Sequence, residues 1–135
     1  MDKLTDKDLE GLSPDAIDSI HALQASGAEL YATRFPYVLN ADGHVRSPGE
    51  GDVDGVIVFR RPKNAEAKPA HKEITSQGPA HYSDKAEELG VRVVVFPEGT
   101  AKTELYEFSS LAFHHVGHRA LLVWMGALDD EAKKL

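Results

Sequence analysis

The apolar residues of this 135-residue chain are divided into short runs, which limits the folds that the chain can adopt. The longest run, residues 120–128, is far below the ~18–20 residues that a membrane-spanning helix needs. A chain of this length can nevertheless bury a core of its own without disulfides or a structural metal. We therefore expect one soluble domain over residues 1–135, with loosely ordered ends at 1–12 and 129–135.

The chain contains no cysteine and has a net charge of −7, from 22 acidic and 15 basic side chains. The lack of cysteine excludes a disulfide scaffold, a thiol nucleophile and any cysteine-bound metal cluster. The negative charge argues against nucleic-acid binding, which needs clustered lysine and arginine. The polar, acidic N-terminal residues do not resemble a secretory signal, so we expect a cytoplasmic protein without membrane attachment.

Helix signals occur at two places. The dipeptide Ser13-Pro14 predicts a helix start, because serine can cap the free amides and proline suits the first helical position. Apolar residues then recur at helical spacing, so the first helix is predicted to end at Gly27 or at about Thr33. A second, short helix is predicted at residues 83–89, with Gly90 as its stop.

Strand signals occur in the middle of the chain. Residues 37–45 carry an Asn-, Asp- and Gly-containing turn between apolar residues, which predicts a hairpin. Residues 56–59 are β-branched or aromatic and too short for a helix. Residues 91–96 are the strongest predicted strand, and their valines favour a central position buried on both faces. Residues 62–79 are polar and poorly patterned, with one short strand predicted at 73–75.

The C-terminal part has two interpretations. With Val116-Gly117 as a turn, Leu111, Phe113, Leu122 and Trp124 share one face of a hairpin, and we favour this interpretation. In the alternative, residues 110–115 form a helical turn that Gly117 closes. The elements together predict an α+β domain, with the N-terminal helix packed on a mostly antiparallel sheet and a second short helix.

Three of the seven histidines, His114, His115 and His118, lie close together in this part of the chain. In the hairpin, His115 and His118 flank the turn on one face, and His114 points to the other face. In a helix, His114 and His118 would share a face. The three histidines are the candidate metal ligands, although a catalytic zinc site needs about three protein ligands. The cofactor is unassigned, and a divalent transition metal is the candidate that the composition leaves open.

Residues Phe96-Pro97-Glu98-Gly99-Thr100 resemble the phosphate-contacting motif of glycerolipid acyltransferases. That family continues the motif with Arg and Ser, and its catalytic pair is a His with an Asp five residues later. Here Ala101 and Lys102 follow, and none of the histidines has such an Asp. We therefore interpret the motif as a turn at the end of a strand.

Two hypotheses about function follow. The first is a small binding or regulatory domain without catalysis, which acts through a protein partner or as a homo-oligomer. The second is a metal-dependent or acid–base enzyme with His115, His118 and Glu98 as candidate catalytic residues and Glu104 as another candidate ligand or base. No glycine-rich phosphate loop or dinucleotide fingerprint occurs, so we assign no cofactor-binding residue.

Overall fold

The computed structural model describes residues 3–77 and 84–134, with side chains of the last helix up to residue 126. A 3-10 turn at Asp6–Leu9 comes first. The helices are α1 (Pro14–Ala25), α2 (Asn64–Gln77), α3 (Asp84–Val93), α4 (Gly99–Phe108) and α5 (Leu111–Lys134). The strands are β1 (Leu30–Phe35), β2 (Val38–Leu39), β3 (Val45–Arg46), β4 (Gly55–Arg60) and β5 (Val94–Phe96).

An antiparallel three-stranded sheet, in the order β1-β4-β5, forms the centre of the fold. Successive residues of β4 point to opposite faces, so both faces are covered. Val56 and Val58 belong to the core that Ile20 of α1 completes. Ile57 and Phe59 belong to a larger core shared with α2, α3 and α5. The predicted α+β class with a mostly antiparallel sheet is confirmed.

The central strand is not the one that the sequence predicts. The order of the sheet places β4 in the middle and β5 at an edge. The valine run at 91–96 is divided, because its first half ends α3 and β5 covers only Val94–Phe96. Valines can be buried on one face of a helix as well as in a central strand, and a short apolar run does not separate the two.

The start of the first helix and the first hairpin agree with the sequence, but the longer alternative for that helix, up to about Thr33, is wrong because β1 begins at Leu30. The Ser13 hydroxyl oxygen accepts a hydrogen bond from the Ala16 amide at 3.2 Å, and Pro14 is the first helical residue. The helix ends at Ala25, and Gly27 follows with a φ of +97°. Such a φ favours glycine after a helix. Strands β2 and β3 pair as the predicted hairpin.

The N-terminal residues contact the rest of the domain. The Leu4 amide donates to the Leu30 carbonyl at 3.0 Å, and Leu4 and Leu9 are buried. The loose order of 1–12 and 129–135 remains a prediction, and residues 1, 2 and 135 lie outside the described residues. Among the described residues, none of the helices combines the length and the hydrophobicity that a membrane span requires.

Residues 64–77 form α2, so the predicted strand at 73–75 is wrong. Pro69 lies inside this helix, although proline removes a backbone donor and usually breaks a helix. The first turn is held by the Glu66 carboxylate, which accepts from the Lys63 amide at 2.9 Å. The buried residues Ala67 and Ala70 then fix the helix against the core.

The favoured C-terminal hairpin is wrong, because α5 is continuous from Leu111 to Lys134. The alternative turn closed by Gly117 is also wrong, since the helix passes through that glycine. A Cβ on Gly117 would overlap the Ala86 carbonyl of α3, and a Cβ on Gly90 would overlap the Phe113 carbonyl of α5. The two glycines therefore permit a close helix crossing. Gly90 likewise does not stop α3, which begins at Asp84 and continues to Val93.

Candidate functional site

The three clustered histidines all lie on α5, but they do not point the same way. His114 and His118 are one helical turn apart, and their Nε2 atoms are 3.2 Å from each other. The His115 side chain instead reaches β1, where its Nε2 lies 3.0 Å from the Thr33 hydroxyl and its ring is 6.3 Å from that of Phe35. The hairpin pairing of His115 with His118 is therefore wrong, and the helical pairing of His114 with His118 is present.

Burial lowers the pKa of His114 and His118, which also contact each other. One imidazole must donate and the other accept, so the pair shares one proton between the two Nε2 atoms. Burial lowers the pKa of both side chains, and the positive charge that His118 can gain lowers the pKa of His114 further. Burial also lowers the pKa of His115, with a contribution from the nearby Arg119. The pair is thus a neutral, proton-sharing unit near pH 7.

A complete metal centre is not formed by these residues. In the described part of the chain, no group of three or more histidine or carboxylate side chains is placed to hold a metal ion. Glu98 is the residue before α4, and it is exposed. The Glu104 carboxylate instead accepts from His44 Nδ1 at 2.9 Å, which joins α4 to the β2–β3 hairpin. His114 and His118 together offer only two nitrogen ligands.

The solvent side of α5 carries apolar residues. We define the outer face of α5 as Leu111, His118, Leu122 and Met125, which fall within about 60° of arc at 3.6 residues per turn. Leu111 is 57% exposed, Leu122 is 56% exposed and Met125 is 40% exposed. Arg119 is the one charged residue between positions 111 and 126, and it lies beside this face. Solvent-facing helix surfaces normally carry charged residues, so this face is unusual.

The sequence prediction missed this face because it assumed the wrong period. A strand period of two placed Leu111 and Leu122 in the core together with Phe113 and Trp124. In the helix, Phe113 and Trp124 are buried, while Leu111 and Leu122 point outward. Spacings of seven and four residues between Leu111, His118 and Leu122 are the signal that could have identified the face.

An open cavity of about 700 Å³ lies beside α5, between α3 and α4. Val91, Tyr106 and Phe113 supply its apolar lining, and α3 contributes several carboxylates. The Lys102 ammonium donates to the Val94 carbonyl at 3.0 Å, and burial lowers the pKa of this lysine. A hydrogen bond to Glu87 raises the pKa of Tyr106. Among the described residues that line the cavity there is neither a histidine nor Glu98.

No protein-family model, no curated protein and no solved structure matches this chain.

Proposed function

We propose that this protein is a binding domain without catalysis, and that its protein partner docks on the outer face of α5. The observation that carries the proposal is the exposure of Leu111, Leu122 and Met125 on a helix face without acidic or lysine side chains. Exposed apolar patches of this kind are typical of protein–protein contact sites. On the composition of the chain, we propose the cytoplasm as the place where it acts.

The energetics favour docking on this face. Each of the three apolar side chains is about half exposed, so covering it would contribute roughly 1 kcal/mol. His118 adds little cost on docking, because its lowered pKa keeps it neutral near pH 7. Arg119 lies at the edge of the face, where its guanidinium can stay in water. A partner can therefore cover the outer face without burying an unpaired charge.

A substitution on the outer face tests the proposal. Leu122→Glu places a carboxylate at the centre of the face, and Val53→Glu, at a loop residue that is 80% exposed, is the matched control. Proteins retained by the immobilised wild type are identified, purified and titrated against the wild type and both variants. We expect a partner whose affinity falls at least about tenfold, or about 1.4 kcal/mol, with Leu122→Glu and is unchanged with Val53→Glu.

Two results would overturn this function. One is a purified partner that binds the wild type and both variants equally well, since docking would then use another surface. The other is a chain that is monomeric at millimolar concentration and retains no protein. Thermal unfolding of Leu122→Glu controls for loss of the fold, and an exposed position predicts little change.

Acid–base or metal chemistry is the second candidate function, and the His114–His118 contact is the observation that favours it. Two nitrogens one helical turn apart can bind a divalent transition metal weakly. Native mass spectrometry of untagged protein, purified without chelator, tests this candidate. A metal-sized mass shift that is lost in His114→Ala/His118→Ala and kept in His115→Ala would support it. An unshifted wild-type mass would count against it.

A further inference from the structure

We propose that the partner of the outer face is a second copy of this chain, with the two α5 helices packed antiparallel across a twofold axis at His118. This inference rests on the proposed function, because it names the occupant of the same face. It differs from that function in predicting a homodimer of defined geometry.

The spacing of the outer face, taken together with the adjacent His114, is symmetric about His118. Leu111 lies seven positions before His118, and Met125 lies seven positions after it. His114 lies four positions before, and Leu122 lies four positions after. If His118 faces its own copy in an antiparallel pair, each Leu111 therefore faces the partner's Met125, and each Leu122 faces the partner's His114. A twofold interface requires this kind of self-complementary surface.

Electrostatics favour the same face for self-association. Each copy has a net charge of −7, so most surfaces of two copies repel each other. None of the four residues that define the outer face is acidic, so two copies can bring these residues together without opposing carboxylates among them. Antiparallel packing also places the positive end of each helix dipole beside the negative end of the other helix. A parallel pair would place like ends together.

The length of the contact predicts a weak dimer. The stretch from Leu111 to Met125 is about 21 Å long at 1.5 Å per residue. The backbone of α5 continues to Lys134, beyond the end of the outer face. A single helix pair of this length belongs with interfaces below about 1,200 Å², which form transient complexes. We expect dimerisation that depends on protein concentration.

Engineered cysteines can measure the geometry directly, because the chain has no cysteine of its own. His118→Cys places two thiols opposite each other at the axis, so we expect a disulfide-linked dimer under mild oxidation. Leu122→Cys is the matched variant on the same face. In the antiparallel pair its two copies are separated by about 12 Å along the axis. This exceeds the roughly 7 Å between Cα atoms that a disulfide tolerates.

A second pair of variants changes exposed residues only. It therefore tests the geometry even if His118→Cys impairs folding. Leu111→Cys and Met125→Cys, each alone, should form no disulfide-linked dimer under oxidation, because like positions lie far apart in the antiparallel pair. Mixed together, they should form a heterodimer joined by one disulfide, because position 111 faces position 125 of the partner. Val53→Cys supplies the background of random collisions.

The outcomes separate the dimer from the broader function. Cross-linking of Leu122→Cys as efficient as that of His118→Cys would indicate parallel packing and would overturn the antiparallel proposal. Cross-linking no higher than that of Val53→Cys, with a monomer in sedimentation at millimolar concentration, would overturn self-association. A different protein that loses affinity with Leu122→Glu would then still support docking on the outer face.

Discussion

Gly117 of α5 lies directly against the carbonyl group of Ala86 in α3, and a Cβ atom at position 117 would overlap that oxygen. Gly90 of α3 stands in the reciprocal relation to Phe113 of α5. These two glycines let the helices cross more closely than side chains would allow. The crossing fixes the direction of α5, and therefore decides which residues form its outer face.

Alanine at either crossing glycine should separate the helices and destabilise the fold. We expect Gly117→Ala and Gly90→Ala each to lower the free energy of unfolding by about 3 kcal/mol, because backbone atoms cannot move aside as a flexible side chain can. Gly126 is the control, since a Cβ there meets nothing within 4 Å. Gly126→Ala should be neutral or stabilising by up to about 1 kcal/mol. Urea unfolding measures all three, and equal effects at positions 117 and 126 would refute the close crossing.

The Arg60–Glu66 pair should make stability depend on pH in the acid range. Two hydrogen bonds of 2.8 Å from the Arg60 guanidinium lower the pKa of Glu66 to about 2. Because the folded pKa is below the unfolded value of about 4.5, the stabilisation is complete above that value and is lost as the pH falls towards 2. We expect Glu66→Gln to cost about 2–3 kcal/mol at pH 7 and little at pH 2.

The control for this pair is Glu88→Gln. Glu88 is 59% exposed and lies 3.6 Å from Lys85. An exposed ion pair of this type contributes less than about 1 kcal/mol, so the control should change little at either pH. Chemical unfolding at pH 7 and in acid gives both values, and a Glu66→Gln variant with the same pH dependence as the wild type would contradict the assignment.

Four histidines should titrate away from the ordinary pKa of 6.5, three of them below it and one above it. Burial lowers the pKa of His114, His115 and His118, and the hydrogen bond to Glu104 raises the pKa of His44. A lowered pKa means that the folded state prefers the neutral ring, so the three α5 histidines lose stabilisation as the pH falls below 6.5. The pKa of His44 is raised in the folded protein, so its effect on stability has the opposite pH dependence. The stability that His44 contributes is lost as the pH rises through this folded pKa.

Nuclear magnetic resonance titration of the imidazole signals tests the direction of each pKa shift. We expect the signals of the α5 histidines to move below pH 6.5 and the signal of His44 to move above it. Glu104→Gln should return the His44 titration towards 6.5 and leave His115 unchanged. A His115 signal that titrates above 6.5 would show that the ring is not buried against β1.

Tyr37 should contribute to stability through its hydroxyl group. Its side chain is 1% exposed, and its hydroxyl donates to the Val56 carbonyl across the sheet. Tyr37→Phe removes the donor inside the protein, so we expect a loss of about 1–2 kcal/mol. Tyr106→Phe is the comparison, because it removes a hydrogen bond to Glu87 at a residue that is 43% exposed, where water can replace the bond, so we expect a smaller loss than at Tyr37. Thermal unfolding that shows equal losses would contradict a buried hydrogen bond at Tyr37.

The secondary structure could be predicted where local chemistry decides it. Ser13 and Pro14 determine the start of α1 through the backbone groups at a helix end, and the turn residues before Val45 determine the β2–β3 hairpin. The central strand predicted at 91–96 and the short strand predicted at 73–75, within the polar segment 62–79, are wrong. In both segments, neighbouring elements select the conformation, because Ala67 and Val93 gain their stabilisation only from burial in the core.

For the candidate site, too, the sequence decides some features and the tertiary structure decides the others. The sequence by itself determined that the chemistry is concentrated in His114, His115 and His118, and that no cysteine can assist them. The tertiary structure decided their roles. In the tertiary structure the segment is a helix that packs against α3 at Gly117, and not a hairpin. A period of 3.6 residues then pairs His114 with His118, directs His115 to Thr33 and places Leu111 and Leu122 in solvent. The helical spacing is present in the sequence, but a strand pattern fits several of the same residues, so packing against elements distant in the chain decides between helix and hairpin.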